Sequence, residues 1–517
     1  MSKSFVAFLI LGVLALLLVL RFISLESDPP LFYVGHGQAQ LTDPYHLTHF
    51  ARNRILFDDW DPFDYHRWDL FKASLVSGFS YIVFSVFGVS RATANLAAVL
   101  LQSGGIFFFL LGWLQFRPKR ETMVTAGIIL VNSTLFFYGR LPFLENGLIF
   151  LSGLAFYIFA RFHGSARGQI LTGFLVSLAA LAGKLFGFVL LGPVILVLIY
   201  RYRRDVARPI LYTLIGLILG TGLYLIVMFQ GKAVVLLSYY AEQTTGMYGF
   251  PPGFVSIAGF FKMLLTYGGE SGFGEYTPFL IVLTAVGILL MILSGEFLGA
   301  FRHDRIPLIF ASAWLLCGIL GLMPFQYRPL RYALFLYLPI SAVCARALVI
   351  AADRSLKLGI QKKWLSLTMI CFTLWFLFTQ VWIFFSPVGK KFESGAGNLH
   401  LSFLPALVVT AVVFLLFGSK KRVSPRKIAA LLMTLLCAAY AVHQGVYIYR
   451  GLSHPGTHLS RSSHQLGDLL GGDAVLTGPY SATLAIDNNL KNVIYMFGLA
   501  NVEHDLFDKY PITHVTA

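Results

Sequence analysis

Four short polar stretches, each set between long apolar runs, hold the residues best suited to chemistry. The richest is LTDPYHLTHFARNRILFDDWDPFDYHRWD at 41–69, which carries Asp43, Asp58, Asp59, Asp61, Asp64 and Asp69. Within it Asp43 is followed closely by Tyr45, His46, His49 and Arg52. A carboxylate held rigidly at a membrane edge can take the proton from a hydroxyl as that hydroxyl attacks. Thr42-Asp43-Pro44 also reads as a helix start, with Asp43 as N-cap and Pro44 at the first helical position. The two roles are compatible, because a capped carboxylate is a fixed one. His46 and His49 are three residues apart and share a helix face, so with Asp43 they offer ligands to a divalent metal if further partners converge.

The other three stretches are basic. YGRLPFLEN at 138–146 carries Arg140 and Glu145, charges that are costly at a membrane boundary unless they face a cavity or each other. LAGKLFG at 181–187 isolates Lys184, whose stem can also snorkel to the interface. QYRPLRY at 326–332 places Arg328 and Arg331 at the mouth of a span. Basic groups from separate loops suit an anionic headgroup, since arginine forks match phosphate oxygens.

The elements that position these residues are membrane spans. The 517 residues are 57% hydrophobic and only 12% charged, against roughly 25% charged in soluble domains. Apolar runs of about 17–25 residues, the length of a spanning helix, recur at 5–23, 91–115, 122–138, 147–162, 169–182, 185–200, 209–229, 277–294, 306–323, 332–350, 364–385, 401–417 and 428–448. The first is too long for a signal-peptide core and lacks a small-residue cleavage site, so it reads as a retained helix. Ala73–Gly88 is apolar enough to suggest a crossing, but the loop charges decide against it. With that block lying on the outer face, the basic clusters around Arg117, Arg161, Arg201, Arg302, Arg354 and Lys420 all fall on one side. The alternate loops keep little more than Arg140, Lys184, Arg328 and Arg331, with Lys390 and Lys391. The positive-inside rule then gives a cytoplasmic N-terminus, about 13 spans and an external tail.

This places a transmembrane domain at 1–449, with a first external loop at 24–90 holding interfacial helices and a mobile external loop at 230–276. Residues 450–517 form a small external α/β domain, in which DAVLTGPYSATLAIDNN reads as strand, turn and helix. The net charge of +16 sits in short loops and marks orientation, with no nucleic-acid partner. Cys317, Cys344, Cys371 and Cys437 fall within apolar runs as small buried hydrophobes.

The chain resembles the GT-C class of polyprenyl-phosphate-sugar-dependent glycosyltransferases, in particular the dolichyl-phosphate-mannose protein mannosyltransferase and lipid A aminoarabinose transferase family. That family carries an acidic motif in its first outer loop, D-E-x-x-Y-A-x-x-A-R-x-x-L followed by G-D-W. Asp43, His49-Phe50-Ala51-Arg52, Leu56 and Asp59-Trp60 match it in order, with Pro44 standing where the second acidic residue is usual. Phe87-Gly88-Val89-Ser90, the Arg140–Glu145 spacing and the isolated Lys184 continue the match through about residue 200, and QYRPLRYALFLYLP follows more loosely.

The resemblance implies an all-α polytopic membrane protein in a bacterial or archaeal plasma membrane, with its active site external. It implies inverting transfer of a sugar from a polyprenyl-phosphate donor to a hydroxyl of a protein, lipid or glycan acceptor. Asp43 and Glu145 are then the catalytic carboxylates, and Arg140, Lys184, Arg328, Arg331, Tyr45 and Arg52 bind substrate. A divalent metal held by Asp43, His46 and His49 is the one cofactor the residues offer. A transporter or flippase of lipid-linked saccharides is the alternative, though such folds favour internal repeats and midplane charges. No repeat is evident here.

Overall fold

A computed structural model describes residues 12, 15–30, 39–63, 72–229, 276–293, 306–322, 329–352, 425–494 and 505–516. The expected spans at 364–385 and 401–417, nearly all of the 230–276 loop, Arg328, Asp64, Asp69 and Cys371 lie outside these residues.

Among the described residues seven helices are long and apolar enough to cross a bilayer, and the chain is an integral membrane protein. One of them is Arg91–Phe116, of 26 residues. It starts at a reciprocal cap in which Ser90 accepts from Thr93 N–H while the Thr93 hydroxyl accepts from Ser90 N–H. It lies against Leu144–Phe162 where small residues let the backbones meet: a Cβ on Gly105 would stand 2.5 Å from the Ile149 carbonyl oxygen. Gly153 abuts the Gly105 carbonyl from the other side. Ala166–Leu178 and Ala207–Phe229 pair in the same way through Gly173 and Gly216. Close backbone approach at small residues is how helices associate where no hydrophobic driving force separates lipid from side chain.

The segment expected as one span at 122–138 is instead two helices, Lys119–Leu130 and Ser133–Tyr138. Asn132 breaks it. Its side-chain amide oxygen accepts from Leu135 N–H at 2.7 Å and caps the second helix. The break is held by the last long helix, Pro425–Ser453, whose Gln444 carbonyl oxygen accepts from both Ser133 N–H and the Ser133 hydroxyl.

Leu75–Phe87 is capped by Ser74 at one end and closed by Gly88, φ +79°, at the other. Its 13 residues span about 20 Å at 1.5 Å each, short of the roughly 30 Å hydrocarbon core. Val76, Val83 and Phe84 face inward while Ile82, Val86 and Phe87 are exposed, an arrangement suited to lying in an interface.

The last part of the chain adds a three-stranded parallel sheet of order β2-β1-β3. Strand β1 (Val475–Thr477) sets Val475 opposite Lys491 of β2 (Lys491–Asn492) and Leu476 opposite His514 of β3 (His514–Val515). Alternate residues of a strand point to opposite faces, and both faces are used. Leu476 packs with Ala485 and Leu490 toward helix His458–Leu470. Val475 joins Leu47, Phe50 and Val76, which belong to the first loop.

Candidate active site

The first loop enters the site through the short helix Ala39–Thr42 and the 3-10 turn Pro44–Leu47. Asp43 stands at the N-cap position between them, but its backbone is αR (φ −81°, ψ −36°) and its side chain makes no cap bond. The cap expected from sequence is therefore absent, and the carboxylate is turned elsewhere. Arg331 Nη1 donates to Asp43 Oδ2 at 2.6 Å, and the Thr42 hydroxyl donates to Oδ1 at 2.8 Å.

Glu145 projects from the first turn of Leu144–Phe162, where the helix N-terminus favours a negative group. Its partner is not Arg140. Lys184 Nζ lies 2.6 Å from Glu145 Oε1, and Arg331 Nε stands 3.9 Å from the same oxygen.

Lys184 arrives by a break in the helix. Ala166–Leu178 runs into a π turn, Ala179–Gly183, then Lys184 is extended (φ −153°, ψ 147°) and a 3-10 turn, Leu185–Leu190, follows. Gly183 allows this, since a Cβ there would stand 3.0 Å from Leu148 Cα on the helix that carries Glu145. A Cβ on Gly187 would likewise strike the backbone of Ala179 and Ala180. Both glycines of the LAGKLFG stretch are thus needed for packing.

Arg331 and Tyr332 sit in a seven-residue 3-10 helix, Leu330–Leu336, that follows Pro329 and passes into Tyr337–Ala352. Such runs rarely exceed three or four residues and often mark functional sites. The Lys184 ammonium lies 3.5 Å from the Tyr332 ring centroid, and the Arg331 guanidinium lies 5.0 Å from that of Phe143. Aromatic faces hold both cations. Tyr332 and Phe143 were not evident as site residues from sequence, although each adjoins a charged residue that was.

Asp43, Glu145, Lys184 and Arg331 thus form one cluster of two carboxylates and two cations. The side chains of Asp43 and Lys184 each keep 20% exposure, whereas Glu145 keeps 2%. Burial pulls the Lys184 ammonium down to about 8; the Glu145 carboxylate opposes this and Arg331 adds to it.

The remaining candidates lie elsewhere. Arg140 donates to the Ile23 and Ser24 carbonyls, the second of these a very short contact, and to Ser27 Oγ at 3.3 Å. It fastens the end of the first apolar helix. Arg52 donates to the carbonyls of Asn488 and Leu490, at 2.8 Å each, and so ties the first loop to the last part of the chain. Tyr45 is buried beneath the Arg91 guanidinium, 4.8 Å from its ring centroid, and its hydroxyl meets Asn95 Oδ1 at 3.2 Å. His46 Nδ1 bonds the Thr42 carbonyl at 2.6 Å and His49 Nε2 meets Asn53 Nδ2 at 2.9 Å. Burial, with Arg52 and His46 nearby, holds His49 neutral well below the usual imidazole range. Among the described residues no three His, Cys, Asp or Glu converge as a metal site, so the Asp43, His46 and His49 set is not assembled.

The helical membrane bundle joined to a small terminal module is a GT-C fold, shared with solved structures at low sequence identity. The solved structure of ArnT from Cupriavidus metallidurans bound to undecaprenyl phosphate superposes with a TM-score of 0.59 at 13% identity, over 99% of this chain and 90% of that one. The apo form of the same transferase gives 0.53 at 15% identity, over 95% and 86% of the two chains. The archaeal oligosaccharyltransferase AglB from Archaeoglobus fulgidus, in complex with an inhibitory peptide and a dolichol-phosphate, gives 0.50 at 12% identity. That match covers 96% of this chain but 65% of AglB. No family model and no curated protein matches the sequence.

Proposed function

We propose that this chain is a membrane glycosyltransferase that moves a sugar, with inversion, from a polyprenyl-phosphate carrier to an acceptor hydroxyl at the outer face of the membrane. The observation that carries this reading is the Asp43–Arg331 contact at 2.6 Å beside the Glu145–Lys184 contact at 2.6 Å. It puts a reachable carboxylate next to two cations, at the mouth of a fold shared with proteins solved with lipid phosphates.

The roles divide by charge. A lipid phosphate entering the cluster competes with Asp43 and Glu145 for Arg331 and Lys184, which stabilise the charge it gains as the sugar leaves. Release of Arg331 to the phosphate frees the Asp43 carboxylate to accept the acceptor's proton during attack. Attack from the face opposite the leaving phosphate inverts the anomeric carbon. Glu145, buried and bound by Lys184, orients that lysine.

The proposed orientation has about 13 spans, the N-terminus inside and residues 450–517 outside. It is read by labelling single cysteines at positions 120, 205 and 425 with an impermeant maleimide, and label from the outside at these positions would overturn it. The reaction is tested in proteoliposomes given a panel of polyprenyl-phosphate sugars and acceptors. One donor is expected to release free polyprenyl phosphate only when an acceptor is present. Movement of intact donor across the bilayer without cleavage would instead establish a transporter.

A further inference from the structure

Asp43 is held from both sides by contacts that lead to one short stretch near the end of the chain. Two residues before it, the Leu41 carbonyl accepts a hydrogen bond from the Thr483 hydroxyl. Two residues after it, Tyr45 is covered by the Arg91 guanidinium, and Arg91 is fixed by residues 483–487. Arg91 N–H donates to Asp487 Oδ1 at 2.6 Å, Arg91 Nε lies 3.3 Å from Asp487 Oδ2, and Arg91 Nη2 donates to the Thr483 carbonyl at 2.9 Å. The Asp487 side chain is 4% exposed and the Arg91 side chain 0%, so the pair is shielded from water. Asp487 also accepts the first N–H of the helix Arg91–Phe116, where a carboxylate is favoured.

The Asp43 carboxylate makes no bond to backbone among the contacts described, and its oxygens meet only Thr42 and Arg331 there. The segment that carries it, Ala39–Leu47, is too short to hold a carboxylate in place unaided. Its register against Arg331 is therefore set by what clamps Leu41 and Tyr45.

We propose that Asp487 is a positioning residue for Asp43, acting through Arg91 and Tyr45 on one side and with the Thr483–Leu41 bond on the other. This rests on the transferase reading for its consequence in rate, but the placement of the segment can be measured without any reaction. Asp487 does not reach the donor cations, so its effect falls on the proton-accepting step.

The test uses Asp487→Asn in the full-length protein, with Thr483→Val as a second variant that removes only the hydroxyl bond to Leu41. For Asp487→Asn, kcat is expected to fall about 10–100-fold, the scale of an ångström's misplacement, while KM for the donor stays within twofold. In an Asp43→Asn background the same change is expected to lower kcat no further, since both losses act on one carboxylate. Hydrogen exchange of the peptide spanning 41–48 is expected to rise, with the peptide spanning 144–152 unchanged. Unaltered exchange at 41–48 in both variants would overturn the proposal, as would full additivity with Asp43→Asn. If the wild type consumes no polyprenyl-phosphate sugar, the transferase reading fails, and the exchange result alone still decides whether Asp487 positions the segment.

Discussion

Two charged clusters draw on the two ends of one span, Leu330–Ala352, which contributes Arg331 to the first and Arg346 to the second. At one end Arg331 joins Asp43, Glu145 and Lys184. At the other, Arg117 Nε and Arg346 Nη1 lie 3.4 and 3.3 Å from the two oxygens of Glu121. Both are arginine–carboxylate assemblies between packed helices, yet they differ in what remains reachable. The Glu121 side chain is 0% exposed, so that carboxylate serves only its two arginines. In the first cluster Asp43 stays 20% exposed. The backbone differs as well: Glu121 and Arg346 sit in regular α-helices, whereas Lys184 and Arg331 sit at a π/3-10 break and in a long 3-10 turn. An ion pair on continuous helices fastens them together. One built on interrupted helices, with a carboxylate left open, fits the ligand site proposed above.

The largest expected effect tests that openness. Asp43→Asn is expected to lower sugar transfer about 10²–10⁴-fold, the range for loss of a general base. Polyprenyl phosphate binding is retained, because the change also frees Arg331. Near wild-type transfer would move the base to another residue. Next come the cations: Arg331→Ala or Lys184→Ala is expected to reduce kcat/KM for the donor by about 1.5–3 kcal/mol, typical of hydrogen bonds to charged groups. Unchanged donor kinetics in both would remove them from the phosphate site.

A smaller effect follows from the Lys184 ammonium, which burial brings down to about 8. The charged form prevails below that value, so kcat/KM for the donor is expected to be flat across the neutral range and to fall about tenfold per unit above about 8. Lys184→Arg, which stays charged, is expected to abolish that fall; persistence of the fall would assign it to another group. The smallest effect on activity belongs to the other cluster. Glu121→Gln is expected to leave kcat/KM per folded molecule within twofold while costing about 1–3 kcal/mol of stability, since two arginines lose their carboxylate. Loss of activity without loss of stability would end the distinction between the clusters.

Much of the charged cluster was legible in sequence because a lone ionisable group between apolar runs is expensive and needs a purpose. Lys184 stands out in that way, Glu145 and Arg331 as charges at the mouths of spans, and Asp43 through its polar loop and the family motif; Asp43 meets Arg331 across 288 positions. Arg140, Arg52 and Tyr45 stand out as well, but their partners are backbone carbonyls and a distant arginine, which leave no local pattern. The break at Asn132 was hidden by apolar residues on both sides, although Asn132-Ser133-Thr134 is a polar cluster of the kind that starts helices. The π turn before Lys184 had no signal beyond its flanking glycines. Tyr332 and Phe143 were hidden among the chain's 48 phenylalanines and 24 tyrosines.

The bond between Thr483 and Leu41 also has a meaning in time. Its two ends are 442 residues apart in the order of synthesis, an interval of about 20–90 s at ribosomal rates of roughly 5–20 residues per second. Throughout that interval the segment bearing Asp43 is already made while the residues that grip it do not yet exist. A nascent chain cannot close this bond before residue 483 is translated, and a message cut short before codon 483 yields a product whose first loop lacks it.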